Sequence, residues 1–150
     1  MPTPPRGIFV PVPTFFARQG SSNYNATTPP LDTATQVEHA LFLANNGVKG
    51  IVLLGSTGEA VHVTRQERKQ LIAAVKDGLS KNGFPDYPLI AGTATNSIDE
   101  TVELLHDSKE AGTQWGMVLV PGYFASAVSQ DGIVQWFHAV ADQSPIPILM

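Results

Sequence analysis

Residues 50–64 read GIVLLGSTGEAVHVT. An unbroken apolar run, Ile51 to Leu54, leads into a turn of Gly55, Ser56, Thr57, Gly58 and Glu59, and a helix is expected just beyond. Such a run suits a strand covered on both faces, the kind that builds parallel sheets. Gly55 and Gly58 allow backbone angles closed to other residues and let a ligand come close. Ser56 and Thr57 then stand where a buried strand surfaces, able to donate and accept hydrogen bonds. Taken locally, the turn is equally explained by hydroxyls that cap nearby amides. The rest of the chain decides.

Outward from this stretch the chain alternates. Ile8 to Val12 is a short apolar run, followed by a long loop, Ala17 to Pro30, rich in Ser, Asn, Thr and Pro. Asp32 or Thr33 can cap a helix whose Val37, Ala40, Leu41 and Ala44 follow helical spacing, and Asn46-Gly47 ends it. Beyond the opening stretch, Thr64 and Glu67 form a capping-box pair ahead of a helix that buries Leu71, Ile72, Val75 and Leu79. YPLIAGT (residues 87–93) is a third strand ending at Gly92 and Thr93, and Ser97 with Glu100 repeats the capping box ahead of Val102 and Leu105. WGMVLVPGYF (115–124) is a fourth strand that stops at Pro121-Gly122. A fourth helix places Ile133, Trp136, Phe137, Val140 and Ala141 on one face, and IPILM (146–150) opens a fifth strand.

Four strand-helix units followed by a strand predict an α/β fold with helices packed on a parallel sheet. Two architectures satisfy that order: an open doubly wound sheet, or part of a closed eight-stranded barrel. In both, ligands bind at the carboxyl ends of the strands, where Ser56, Thr57, Thr93 and Tyr123 all fall. A whole barrel takes about 250 residues, so the 150 residues here are expected to form one domain, the first half of a barrel.

Composition narrows the chemistry. The formal net charge is −4 and no block of Lys or Arg stands out, which argues against nucleic-acid or acidic-membrane partners. With no cysteine, thiolate metal sites and cysteine nucleophiles are excluded. No apolar run is long enough to span a bilayer and the N-terminus lacks targeting features, so a cytoplasmic protein is expected. GSTGE lacks the spacing of a P-loop and the third glycine of a dinucleotide fingerprint. His39, His62, His106 and His138 have no metal-ligand spacing and read as surface or helix-face residues, with only His62 close to a strand end. Glu59 is expected to accept backbone hydrogen bonds within its own turn. Tyr123, at the tip of the fourth strand, suits either proton transfer or packing against a neighbour. Lys49 precedes its strand, and Lys69, Lys76, Lys81 and Lys109 fall on helices or just after them. None stands where an activated amine is needed.

Together these segments resemble the dihydrodipicolinate synthase/N-acetylneuraminate lyase family, the pyruvate-dependent class I aldolases. The motifs are GVKGIVLLGSTGEAVHVTRQER, PLIAGTATNSIDETVELLHDSKEAG, GMVLVPGYF and VADQSPIPILM, in that order, the last leaning toward 4-hydroxy-2-oxoglutarate aldolases. The resemblance implies a (β/α)8 TIM barrel, present here as four βα units plus the fifth strand, acting as an aldolase or lyase through a lysine imine with pyruvate. It implies no metal and no organic cofactor, a pyruvate or related 2-oxo acid substrate, and a homo-oligomer, dimer or tetramer. Ser56 and Thr57 match the hydroxyls that line the pyruvate site, whose backbone amides bind the carboxylate. Thr57 matches the hydroxyl that links two tyrosines in a proton relay, and Tyr123 a relay tyrosine reaching into a neighbouring subunit.

Three positions depart from the pattern: Gly122 replaces one member of an aromatic pair, Phe15 replaces a proline after Thr14, and the loop through Tyr24 is longer. The second relay tyrosine and the imine lysine are expected beyond Met150, so these 150 residues are expected to be inactive alone. The competing readings are an open-sheet domain that binds an anion or a partner at Ser56 and Thr57 without catalysis, and a non-catalytic homologue used in assembly.

Overall fold

Strands and helices alternate through the computed structural model, which describes residues 3–150. The strands are β1 (Phe9–Pro11), β2 (Gly50–Leu53), β3 (Leu89–Thr93), β4 (Trp115–Val118) and β5 (Ile148–Leu149). The helices are α1 (Thr33–Asn45), α2 (Arg65–Lys81), α3 (Ile98–Ala111) and α4 (Gln130–Gln143), with one 3-10 turn at Ala60–His62. All four strand pairings are parallel and the sheet order is β1-β2-β3-β4-β5. A doubly wound sheet would place a later strand on the far side of β1. That order is absent, and the open-sheet alternative falls with it.

Side chains alternate between the two faces of the sheet, as the period of a strand requires. Ile51, Leu53, Leu89 and Ala91 pack outward against Ala40 and Ala44 of α1 and Leu71, Ile72, Val75 and Leu79 of α2. Val52, Ile90 and Trp115 form a separate cluster with Phe9, Met117 and Leu149. A third cluster joins Leu105, Val118, Trp136, Val140 and Ile146 under α3 and α4. Because β2 and β3 are buried at every position, their sequences carry no polar alternation.

The helix starts follow their caps. Asp32, not Thr33, caps α1, accepting from the Thr35 amide at 3.0 Å. Thr64 and Glu67 form the full reciprocal box. At α3 only half of the expected box forms: Ser97 Oγ accepts from the Glu100 amide at 3.3 Å, while the Glu100 carboxylate takes the Thr95 hydroxyl. Ala141, expected on the inner face of α4, is exposed, whereas Trp136 and Val140 are buried.

Helices α2 and α3 are joined by ions. Asp107, whose side chain is only 9% exposed, receives Arg65 and Lys69, and these reach on to Glu103 and Glu110. Hydrogen bonds from Arg65 hold the Asp107 carboxyl below its usual 3.8, with Lys69 acting in the same direction against burial. A depressed carboxyl stabilises the fold above its unfolded value and loses that contribution as pH falls through the folded one. Asp107→Asn is therefore expected to lower Tm by about 2–4 °C at neutral pH. The gap to the parent should close below pH 3.8 in a thermal-unfolding series.

Candidate functional site

The turn after β2 is built differently from its glycine pattern. The strand ends at Leu53, one residue early, and Leu54 takes a left-handed conformation with φ of +57°. Glu59 does the same at +51°, while Gly55 and Gly58 do not. A left-handed leucine costs about 1–2 kcal/mol and persists only where its surroundings hold it. Gly58 serves close approach instead: a Cβ there would lie 2.9 Å from the Leu54 nitrogen and 3.2 Å from the Val12 oxygen.

Within the turn, the amides of Gly58, Glu59 and Ala60 bond back to the carbonyls of Gly55, Ser56 and Gly55. Thr14, buried after β1, donates its hydroxyl to the Gly58 carbonyl at 2.6 Å. Among the described residues, the amides of Gly55, Ser56 and Thr57 and the hydroxyls of Ser56 and Thr57 make no hydrogen bond. Ser56 and Thr57 are both exposed. The capping role open to them on sequence alone is not the one they take. Three successive unbonded N–H groups, of buried Gly55 and exposed Ser56 and Thr57, stand with two unbonded hydroxyls at the carboxyl end of the sheet, a donor set suited to a carboxylate.

Around this turn the other sequence-predicted residues scatter. The Glu59 carbonyl accepts the His62 amide at 2.8 Å within the turn, while its carboxylate takes no backbone bond among the described residues and lies 3.3 Å from His62 Nδ1 on the surface. Thr27 to Pro29 of the long first loop line a hollow of about 760 Å³ with that pair and Glu67. His39 packs edge-on against Phe15, and His106 and His138 are exposed. Thr93 is buried, its hydroxyl 3.4 Å from the Met117 carbonyl. Tyr123 is 79% exposed beyond the end of β4 and stacks edge-on with Phe124, 4.8 Å between ring centres. Its amide donates to Asn96 Oδ1 at 2.9 Å, which ties the β4 loop to the β3 loop. No hydrogen bond joins Tyr123 to Thr57 among the described residues.

The lysines keep to the outside. Lys69, Lys76 and Lys81 bond to Glu110, the Pro85 carbonyl and Asp77, Lys109 is exposed on α3, and Lys49 lies at the amino end of β2. Lys49 also lines a hollow of about 460 Å³ with Phe84 and Tyr87, at the face opposite the strands' carboxyl ends.

Two contributors were not singled out in the sequence. Thr14 carried no pattern of its own. Arg68 stands in register with Leu71, Ile72 and Val75, three, four and seven residues on, so the helical period marks it as inward-facing. It is 4% exposed and its guanidinium donates to the Gly92 carbonyl. Burial pushes its pKa down to about 10 even though Asp107 and Glu100 act in the opposite direction.

The profile of the Dihydrodipicolinate synthetase family matches residues 4–150. The chain belongs to that family. It is 41% identical over 144 residues to the Emericella nidulans protein named "Probable 4-hydroxy-2-oxoglutarate aldolase, mitochondrial", covering 96% of this chain and 44% of that one. It is 40% identical over 145 residues to the L-threo-3-deoxy-hexylosonate aldolase of Aspergillus niger, covering 96% and 41%. The chain thus spans less than half the length of the curated relatives it matches.

Among solved structures, a dihydrodipicolinate synthase family protein of Coccidioides immitis superposes with a TM-score of 0.81 at 35% identity, over 97% of this chain and 43% of that one. The Acinetobacter baumannii dihydrodipicolinate synthase, solved with pyruvate, gives 0.78 at 26% identity, over 95% and 44%. The five parallel strands and four helices match part of the barrel of this family. Of the described residues, no helix is long and apolar enough to cross a membrane, and no group of three acidic or histidine side chains is placed to hold a metal ion.

Proposed function

We propose that this chain forms the 2-oxo-acid-binding half of a class I aldolase or lyase, one domain whose barrel is completed by residues beyond Met150. The observation that carries this reading is the unbonded donor set of Gly55, Ser56 and Thr57 at the carboxyl end of the sheet. The amides and the Ser56 hydroxyl hold the carboxylate of pyruvate or a related 2-oxo acid. Thr57 also passes a proton between two tyrosines, one of them Tyr123 contributed across a homodimer or tetramer contact. The 79% exposure of Tyr123 leaves it available to a second subunit. The second tyrosine closes the fifth strand and a lysine closes the sixth. That lysine's neutral amine adds to the substrate carbonyl and water leaves, giving an imine. Loss of a proton from its methyl carbon gives the enamine that attacks an aldehyde, and cleavage is the same path reversed. No metal or organic cofactor enters these steps. We keep a cytoplasmic location in the proposal, the mitochondrial name being that of the relative.

The names of the relatives point to 4-hydroxy-2-oxoglutarate and L-threo-3-deoxy-hexylosonate as substrates to test. The assay is release of pyruvate from each by the protein read on through its sixth strand, followed by coupled reduction of the pyruvate. Release of pyruvate from at least one is expected. A folded, extended protein that binds pyruvate but cleaves neither substrate would favour the anion-binding, non-catalytic reading.

A further inference from the structure

Arg68 is a buried cation that makes no ion pair among the described residues. The guanidinium's one hydrogen bond among the described residues goes from Nη2 to the Gly92 carbonyl. Nearby Asp107 is taken up by Arg65 and Lys69. Burying a guanidinium against a single carbonyl is unfavourable, and an apolar side chain of similar size would fill the space at less cost. A packing role therefore does not account for it.

What the carbonyl it holds does next is visible in the backbone. Gly92 lies against the peptide of Leu54 so closely that a Cβ on it would stand 2.8 Å from the Leu54 carbonyl carbon. Leu54 is the left-handed residue from which Gly55, Ser56 and Thr57 depart. At the far end of the turn, the Thr14 hydroxyl holds Gly58. The turn is thus held at one end by the backbone of Gly92, which Arg68 bonds, and at the other by the Thr14 hydroxyl, and its middle carries the unbonded donors.

We propose that Arg68 is a positioning residue: by fixing the Gly92 carbonyl it holds the end of β3 against Leu54 and so keeps the Gly55–Thr57 donors in their open arrangement. This rests on reading that turn as the 2-oxo-acid site, but its test does not require turnover.

The test is hydrogen exchange on the full chain, comparing the parent with Arg68→Met and Arg68→Lys. Loss of one hydrogen bond to a charged group should speed exchange of the bonded turn amides of Gly58, Glu59 and Ala60 by about tenfold or more in Arg68→Met, beyond any change in α1, β1 and α4. Arg68→Lys keeps one donor on a shorter reach, so a smaller but still selective rise is expected. It decides the matter if the methionine variant does not fold. A rise shared equally by all elements, or none in the turn, overturns the proposal and leaves Arg68 a general stabiliser. A selective rise, with no cleavage of a 2-oxo acid by the protein extended through its sixth strand, would sink the aldolase reading and leave this one standing. Uniform exchange in an active enzyme would do the reverse.

Discussion

Thr57→Val, in the protein read through its sixth strand, is expected to lower turnover by about 10²-fold or more, the scale of one positioned proton transfer. The substitution keeps the β-branched shape and deletes only the hydroxyl. Thr57 is exposed and its hydroxyl makes no hydrogen bond among the described residues, so no internal bond is lost with it. Stability should therefore stay within about 0.5 kcal/mol of the parent. That combination, a large kinetic effect with an unmoved Tm, separates a relay hydroxyl from a structural one. Unchanged turnover would make Thr57 an ordinary surface residue of a turn.

The second large effect is on the fold. Gly92→Ala places a methyl group inside the contact distance of the Leu54 carbonyl, where both partners are backbone and neither can rotate away. Overpacking of this kind costs about 1–3 kcal/mol or more, which in a chain of this length lowers Tm by roughly 2–4 °C for each kcal/mol. Gly55→Ala is the matched control. Nothing lies within 4 Å of a Cβ there and its φ is not left-handed, so that change should be neutral or slightly stabilising. Equal Tm losses in both variants would contradict the contact between β3 and Leu54.

The two glycines of the turn mark how far sequence reasoning reached. Gly55 and Gly58 correctly located the turn, and the apolar runs with their caps correctly located the sheet and its helices. The conformational role assigned to the glycines was wrong, because the left-handed angles fall on Leu54 and Glu59. Local propensity gave no hint of that. Leu54 takes this angle where β3 packs against it, a contact between residues 38 apart in the chain. Thr14 was hidden for the same reason, since its hydroxyl meets Gly58 across 44 residues. Arg68 was legible in principle, its helical register being inward, but its charge invited a surface reading. The alternation of strands and helices left the sheet order open, and parallel pairing in chain order removed the open-sheet alternative. Ser56 and Thr57 fall at a strand's carboxyl end in the sequence, and only the hydrogen-bond pattern adds that their hydroxyls and amides are unbonded among the described residues.

The central claim, an imine-forming 2-oxo-acid site whose lysine lies beyond Met150, is tested most directly by trapping with pyruvate and borohydride. Imine formation needs a neutral amine, and a solvent-exposed lysine with a pKa of about 10.4 is almost wholly protonated at pH 7. Lys69, Lys76 and Lys81 are bonded on outer helices, Lys109 is exposed on α3, and Lys49 is at the wrong end of the sheet. The 150-residue chain should therefore gain no stoichiometric mass. The protein extended through its sixth strand should gain one pyruvyl group, mapped by peptide mass to a lysine after Met150. A single stoichiometric adduct on Lys49, Lys69, Lys76, Lys81 or Lys109, or no adduct on the extended protein, would contradict the account.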